Sequence, residues 1–187
     1  MGNRDLNLET ENVRLRKVRV IDVPSFFSLL QDPEVVQFIG IEIPLTTEKT
    51  RRYVNHLLKK WRSDNALAFS LCKLEPSGQE IVGGLACLEN IDYRDSKAEL
   101  GIWLGKQFWG TNLAKTGLIL LLQVAFLTLH LRRVYARAAI ENLQMHKRLE
   151  SLGFEREGVL RKDAEIHGEP HDMVLYAILN DRYLHLR

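Results

Sequence analysis

The segment from Ala98 to Leu118 holds the residues whose types and spacing are best suited to chemistry. A strand-like run ends there in a loop that contains Gly110, and a long apolar helix begins directly after the loop. The start of such a helix leaves several backbone N–H groups without acceptors, beside the positive end of the helix dipole. These groups can bind a phosphate or a pyrophosphate. An ordinary strand-to-helix turn accounts for the same residues equally well, so the segment alone leaves both interpretations open.

A nucleotide-binding P-loop is excluded by the spacing of this segment. That motif requires a second glycine immediately before Lys-Thr, whereas here Ala114 precedes Lys115-Thr116 and the lysine falls inside the helix. The next strand-like run, residues 132–139, ends without an aspartate that could organise Mg²⁺. The sequence therefore does not predict nucleotide phosphoryl transfer.

A different phosphate-binding pattern, Q/R-x-x-G-x-G/A, fits Gln107 and Gly110 and has Asn112 at its third fixed position. On these residues the chain resembles the GCN5-related N-acetyltransferase (GNAT) superfamily, and in particular its RimJ/RimL-like ribosomal-protein N-terminal acetyltransferase branch. Further segments resemble that branch in order and spacing: Val13–Arg16, Asp22, Asp32–Val35, Ile81–Gly84, Ala98–Leu104, Asn142 and Leu152–Phe154. The resemblance extends from Thr10 to Tyr183, nearly the whole chain.

The resemblance implies that acetyl-CoA is the acetyl donor. Its pyrophosphate would contact the backbone amides of the loop and the helix start, which follow Gln107 and comprise Trp109, Gly110, Thr111, Asn112, Leu113 and Ala114. Asn112 departs from the usual glycine or alanine. Asparagine tolerates unusual backbone geometry, but its side chain would crowd the phosphates, so we expect weakened rather than abolished binding.

The resemblance also assigns the preceding strand to the pantetheine arm of the donor. This strand would diverge from its parallel neighbour, and Ile102, Trp103 and Leu104 are the expected backbone contributors. One backbone N–H would stabilise the oxyanion that develops when an amine attacks the thioester. Asn142 matches the family position whose side chain contacts the arm, although asparagine is also common at the start of any helix.

Glu99 is the best candidate for the base that an amine acceptor requires, because such an amine is mostly protonated at neutral pH. It matches a glutamate that is frequent at this family position, and it would act directly or through water. An equally weighted alternative is a simple ion pair with an arginine or lysine on a neighbouring strand. The family's frequent general acid, a tyrosine, is replaced by Leu149, and a frequent serine is replaced by Met145.

Three other features are candidates for chemistry. His167 and His171 have a metal-like spacing, but the glycine and proline between them favour a hairpin turn, so no metal site is predicted. Cys87 is predicted to be a buried thiol rather than a nucleophile. Lys147 and Arg148 belong to a charged helix face that could reach the phosphates of the donor.

These residues must be positioned by a single α+β domain. Changes in hydrophobic period predict the order β-α-α-β-β-β-α-β-α-β-β, with strands at 13–20, 66–74, 80–89, 97–104, 132–139, 154–161 and 173–179. The predicted helices follow Asp22, begin near Thr46, begin after Asn112 and span residues 141–152. Together with the resemblance, this order predicts a GNAT-like fold, with a mixed, mostly antiparallel central sheet that diverges at the cofactor strand and is flanked by helices.

Length and composition limit the number of domains and the classes of partner that the chain can have. The 187 residues predict one domain, 1–187, with residues 1–10 as a polar extension. A net charge of +2 gives no general reason to expect DNA or a membrane as partner, and two cysteines are too few for a disulfide scaffold. We found no signal peptide or membrane span, and we expect a cytoplasmic protein.

The function predicted from the sequence is transfer of acetyl from acetyl-CoA to a primary amine, by direct attack in a ternary complex. The branch resemblance favours the N-terminus of a ribosomal or other protein, or of a peptide. A small amine, such as a polyamine or an antibiotic, is the main alternative, since the acceptor region is the least readable. A catalytically weak CoA-binding sensor or interaction protein on the same fold is an alternative of another class. A homodimer or a larger homo-oligomer is left open.

Overall fold

Eight strands in the described part of the chain form one mixed sheet. The structure is a computed structural model that describes Leu6, residues 8–41 and residues 45–185. The strands are β1 (Leu8–Glu9), β2 (Val13–Lys17), β3 (Leu67–Leu74), β4 (Glu80–Asp92), β5 (Lys97–Leu104), β6 (Arg133–Ala139), β7 (Glu155–Ile166) and β8 (Glu169–Leu179). Their order is β1-β2-β3-β4-β5-β6-β8-β7, and all neighbours are antiparallel except β5 and β6. The predicted α+β fold class is confirmed.

Six helices flank this sheet in the described part of the chain. They are α1 (Val23–Leu29), α2 (Pro33–Val36), α3 (Thr47–Arg62), α4 (Leu113–Gln123), α5 (Leu143–Ser151) and α6 (Asn180–His185). Side-chain caps explain where several begin: Asp32 accepts from the N–H of Glu34, and Thr46 accepts from the N–H of Lys49 at 3.1 Å. A π-helical turn, Val124–Thr128, ends α4.

The core lies between the sheet and its helices. Phe26 of α1 packs edge-to-face on Trp103 of β5, with ring centroids 5.0 Å apart. On α4, a side chain at Gly117 would collide with Leu71 of β3, so α4 rests directly against the sheet. Leu118 and Leu121 of the same helix are fully buried. This close packing holds the start of α4 in place beside the end of β5.

A buried polar cluster ties β2 to the turn before α1. The guanidinium of Arg16 donates to both carboxylate oxygens of Asp22, at 2.7 and 2.8 Å, and Ser70 of β3 donates to Asp22 at 2.6 Å. Arg16 also contacts Glu80 at 2.5 Å. We name Arg16, Asp22, Ser70 and Glu80 the β2 cluster. Its hydrogen bonds connect three strands and the first helix.

The parallel strands β5 and β6 pair over a short length and then separate. Their register joins Lys97 to Arg133 and ends at Glu99 and Tyr135. Beyond Glu99, β5 continues as far as Leu104 while paired only with β4. The predicted divergence is confirmed, and it opens a gap in the middle of the sheet.

Three boundaries differ from the sequence prediction. The first predicted strand ends at Lys17, because residues 20–22 form a 3₁₀ turn. Residues 8–9, predicted as part of a polar extension, pair with β2 as β1, and residues 1–5 and 7 lie outside the described residues. The last hairpin is longer than predicted, with Pro170 inside β8. Since β6 pairs with β8 only from Met173 onward, the missing N–H of Pro170 removes no bond to β6.

Candidate functional site

The loop between β5 and α4 presents unpaired backbone donors. Gly110 has a φ of +74°, a left-handed conformation that favours glycine, and nothing lies within 4 Å of a side chain placed there. The N–H groups of Asn112, Ala114 and Lys115 have no acceptor among the described residues. Three donors at the start of an eleven-residue helix form a suitable anion site.

Not every amide predicted to bind pyrophosphate is available. The N–H of Trp109 donates to Lys106 at 3.0 Å, inside the 3₁₀ turn Lys106–Phe108 that contains the exposed Gln107. The N–H of Thr111 makes a longer bond of 3.4 Å to Phe108, and Leu113 donates to the hydroxyl of Thr111 at 3.3 Å. The turn uses the N–H of Trp109 in the absence of a ligand, so a contact of this amide with the pyrophosphate stays a prediction.

Asn112 has an ordinary backbone conformation. Its φ of −74° and ψ of −3° lie in the right-handed helical region, and its side chain makes no capping hydrogen bond. Tolerance of unusual geometry, the reason offered from the sequence, is therefore not needed at this position. Its side chain lies beside the unpaired donors, where steric crowding of an anion stays a prediction.

The free edge of β5 offers backbone groups to the gap. The N–H of Gly105 donates to Gly83 of β4 at 2.9 Å, and backbone direction alternates along an antiparallel strand. Trp103 therefore also directs its backbone toward β4, whereas Ile102 and Leu104 direct theirs into the gap. The backbone groups of Ile102 and Leu104 are therefore open to a ligand in the gap, whereas those of Trp103 face β4, and the pantetheine contact stays a prediction for all three residues.

Two tryptophans line this edge with their side chains. The indole N–H of Trp109 donates to the carbonyl of Leu104 at 3.0 Å, which holds the loop against the strand. The indole N–H of Trp103 donates to the hydroxyl of Tyr53 at 3.3 Å. Both residues contribute to the walls of the gap through their rings.

A cavity of about 490 Å³ fills the gap between β5 and the start of α5. It is lined by Ile102, Leu104, Trp109, Asn142 and Met145, and also by residues 34–35 and 37–39. The side chain of Asn142 accepts from the N–H of Met145 at 3.1 Å and caps α5, as the alternative interpretation predicted. Its amide nitrogen has no acceptor in the described part of the chain, so Asn142 is also placed to contact a ligand.

A second cavity, of about 340 Å³, adjoins the first and shares Ile102, Trp103, Asn142 and Met145 with it. Among the described residues, its walls carry the carboxylates of Glu89, Glu99 and Glu165 and the guanidinium of Arg137. The two cavities meet along the diverging part of β5. A ligand in one can therefore reach a ligand in the other.

Glu99 lies in the second cavity and is held by two donors. Arg137 of β6 donates to it at 2.8 Å and Asn90 at 2.9 Å, and 15% of its side chain is exposed. Arg137 also donates to Asp163 at 2.6 Å, and the hydrogen bonds to both carboxylates raise the pKa of Arg137. The ion-pair alternative for Glu99 therefore describes a real contact. A carboxylate oxygen has two lone pairs, so the contact leaves acceptor capacity toward the cavity.

Glu89 faces Glu99 directly across the β4–β5 ladder and was not identified from the sequence. Directly opposed carboxylates repel each other, and here each has its own cation, Lys60 for Glu89 at 3.2 Å and Arg137 for Glu99. Only the register of β4 on β5 brings them together, and no short motif signals it. The result is an acidic wall in the second cavity.

Tyr53 of α3 also lines the second cavity and was missed. Its hydroxyl accepts a hydrogen bond from Trp103, so its own proton can be donated elsewhere. Burial raises the pKa of Tyr53, which keeps the hydroxyl protonated. Tyr53 is not among the site residues predicted from the sequence.

The remaining candidates have structural positions. Leu149 is fully buried in the core and lines neither cavity, whereas Met145 lines both. Cys87 lies in the second cavity, and burial raises the pKa of its thiol, as expected for a buried cysteine. The Nε2–H of His167 donates to the carbonyl of Val36 at 2.9 Å, and His171 lies 3.5 Å from Glu141.

Within residues 8–41 and 45–185, no group of three or more histidine, cysteine, aspartate or glutamate side chains could hold a metal ion. Over the same part of the chain, no helix is both long enough and apolar enough to cross a membrane.

Comparison with known proteins agrees with this geometry. A family model described as an acetyltransferase (GNAT) domain matches residues 12–155. The N-acetyltransferase p20 of Bacillus licheniformis is 29% identical over 177 residues, which are 94% of this chain and 97% of that protein. A protein named as a ribosomal N-acetyltransferase, YdaF of Bacillus subtilis, is 35% identical over 51% of this chain and 52% of its own length. The spermidine N(1)-acetyltransferase of Vibrio cholerae is 32% identical over 54% of this chain and 58% of its own length.

Solved structures are similar over the full length. An acetyltransferase structure from T. thermophilus superposes with a TM-score of 0.86 at 29% identity and covers 100% of this chain and 95% of that one. The structure of RimL, a ribosomal L7/L12 alpha-N-protein acetyltransferase, has a TM-score of 0.83 at 19% identity and covers 93% and 94% of the two chains. At 19% identity, the similarity to RimL shows a shared fold alone.

Proposed function

The chain belongs to the GNAT family of acetyltransferases, and on that premise we propose that it acetylates the N-terminal amine of a protein or peptide. As an N-acetyltransferase of this family it uses acetyl-CoA, which supplies an acetyl group activated as a thioester. The proposal for the acceptor is supported by the shape and charge of the second cavity. A ribosomal protein is the first candidate, on the similarity to YdaF.

The residues present fit acetyl-CoA. The unpaired N–H groups of Asn112, Ala114 and Lys115 would hold its pyrophosphate. The backbone of Ile102 and the amide nitrogen of Asn142 would hold its pantetheine arm in the 490 Å³ cavity. A backbone N–H on the free edge of β5, at Ile102 or Leu104, would stabilise the charge that develops on the acetyl oxygen.

The acidic wall of the second cavity suits a protonated amine. Glu99 would take the proton of the amine, directly or through one water, so that its lone pair can attack. Arg137 and Asn90 would keep the carboxylate of Glu99 in place through hydrogen bonds, and the negative charge of Glu89 would attract the protonated amine. Tyr53, with its proton free to donate, would orient the acceptor beside Trp103.

A third cavity favours a peptide over a small amine. It has a volume of about 210 Å³ and shares Gly40 and Tyr53 with the second cavity, so the two form a continuous groove. Its lining includes Lys49 and Arg52. A polyamine would place a further positive charge near these cations, whereas a peptide would place its backbone and its carboxylates there. This charge change along the groove is the observation that carries the proposal.

A panel of amines tests the acceptor. We expect thiol release from acetyl-CoA with short peptides that have a free N-terminus, and mass spectrometry should locate the acetyl group on the α-amine. The kcat/KM for the best peptide should exceed that for spermidine by at least about tenfold, because one misplaced charge costs about that much. Faster acetylation of spermidine would favour the small-amine alternative. Binding of acetyl-CoA without turnover on any amine would favour the sensor.

A further inference from the structure

Arg148 is a half-buried cation with no partner in the part of the chain that the structure describes. It lies on α5 and lines the 490 Å³ cavity. Its guanidinium makes no ion pair or hydrogen bond with any described residue, whereas the exposed Lys147 beside it does not line that cavity. Burial alone lowers the pKa of Arg148. A guanidinium stays charged at any physiological pH, so Arg148 carries a positive charge that no described carboxylate neutralises.

The acidic groups of the same cavity are engaged elsewhere. Glu34 forms an ion pair with Lys106, and Glu141 lies 3.5 Å from His171. The other walls around Arg148 are largely apolar, with Trp109, Leu143 and Met145 among them. Partial burial of an unpaired charge destabilises a folded protein. An arginine in this setting is therefore suited to an anion that arrives with a ligand.

The position on the helix shows where that anion would lie. Asn142, Met145 and Arg148 are spaced three residues apart and line one side of the cavity. Arg148 is about 9 Å along the helix from Asn142, at 1.5 Å per residue. A guanidinium binds phosphate through two parallel N–H bonds, which a lysine cannot reproduce.

We propose that Arg148 binds a phosphate group of the CoA moiety and thereby sets the preference of the enzyme for the phosphorylated donor. The inference rests on the use of acetyl-CoA and is independent of which amine is acetylated. The phosphate is either the ribose 3′-phosphate or the pyrophosphate. Two truncated donors distinguish these sources, since dephospho-CoA lacks the first and pantetheine lacks both.

The test is calorimetric binding of acetyl-CoA, acetyl-dephospho-CoA and acetyl-pantetheine to wild type and to Arg148→Gln. Acetyl-CoA should bind the variant about 10- to 100-fold more weakly, as expected for a lost charge-assisted contact. For a 3′-phosphate contact, the difference between the two proteins should vanish with acetyl-dephospho-CoA. For a pyrophosphate contact, the difference in affinity between wild type and variant should persist with acetyl-dephospho-CoA and vanish with acetyl-pantetheine. Equal loss with acetyl-pantetheine, or no loss with acetyl-CoA, would overturn the proposal.

Thermal unfolding without ligand separates binding from a structural role. Because Arg148→Gln removes an uncompensated charge, the melting temperature of the ligand-free variant should equal or exceed that of wild type. A lower melting temperature with unchanged affinity would assign Arg148 to folding and overturn the proposal. Lys147→Gln, which removes the same charge from an exposed neighbour, is the matched control and should change the affinity less than about threefold.

Discussion

Glu99 is the residue on which turnover should depend most. In the proposed mechanism Glu99→Gln removes the proton acceptor but keeps the size of the side chain. The variant should lose about 10²- to 10⁴-fold in kcat/KM while acetyl-CoA still raises its melting temperature. Initial rates across pH, with acetyl-CoA binding measured in parallel, check this expectation.

The matched control for Glu99→Gln is Glu89→Gln. Glu89 has the same charge, faces the same cavity and is paired with Lys60 rather than Arg137. Its loss should mainly raise KM for the acceptor, because it contributes attraction rather than proton transfer. Equal losses in the two variants, or a pH–rate profile of Glu99→Gln that matches wild type, would remove Glu99 from the role of base.

Sequence reasoning located single residues well where a local pattern carries them. The loop position of Gly110 and the helix-start position of Asn142 are short-range features, whereas the roles of both residues toward the cofactor came from the family resemblance and stay predictions. Ile102 and Trp103 could not be separated, because which of two neighbours faces the gap depends on the register with β4. Tyr53 and Glu89 reach the site from elements far away in sequence, so their roles appear only once the sheet is assembled.

At the scale of elements, the β2 cluster should make the fold sensitive to acid. Burial opposes ionisation of Asp22, but hydrogen bonds from Arg16, Ser70 and the N–H of Arg19 outweigh it and lower its pKa below 3.8. A group whose pKa is lowered by folding stabilises the protein above its unfolded pKa and loses that contribution as pH falls through the folded value. Stability should therefore decline as the pH falls below about 4.

Asp22→Asn tests this cluster. Removing one partner of a buried ion pair costs about 3–5 kcal/mol, so the free energy of unfolding in urea at pH 7 should fall by about that amount. The decline in stability below about pH 4 should also become shallower than in wild type. Asp95→Asn removes an exposed carboxylate paired with Lys97 and should leave stability nearly unchanged. Similar losses of unfolding free energy in both variants would show that the β2 cluster stabilises the fold no more than an exposed ion pair does.

Most element positions were predictable because each has its own periodicity and its own ends. The antiparallel neighbours β3, β4 and β5 follow from short turns between alternating runs. The separation of β5 from β6 could not be predicted from composition or spacing. It was expected only because of the family resemblance. Long-range pairing of parallel strands leaves no local signal, since the partner is more than thirty residues away.

At the scale of the whole molecule, the two joined cavities require both substrates to be present together. The thiol of Cys87, the one cysteine that lines the second cavity, has a raised pKa and is a poor nucleophile. We therefore expect no acetyl-enzyme. Initial rates at several concentrations of both substrates should give intersecting double-reciprocal lines. Cys87→Ala should retain turnover within about tenfold, since covalent catalysis would lose far more.

Parallel double-reciprocal lines, together with loss of turnover in Cys87→Ala, would indicate a covalent intermediate instead. The other cysteine, Cys72, is the matched control. It is buried beside the β2 cluster, and burial raises its pKa to about 12. Cys72→Ala removes a thiol away from both cavities and should affect stability rather than turnover.

The early end of the β5–β6 pairing also has a consequence for hydration. Backbone groups that face the gap at Ile102 cannot stay unsatisfied, so water must bond them in the free protein. Donor binding is then an exchange in which the arm replaces this water. An arm with amide groups can replace the hydrogen bonds of the displaced water. A plain alkyl thioester would leave the backbone groups of β5 without a partner, at a cost of about 1–3 kcal/mol for each group. The open strand edge thus discriminates between donors by how well they substitute for solvent.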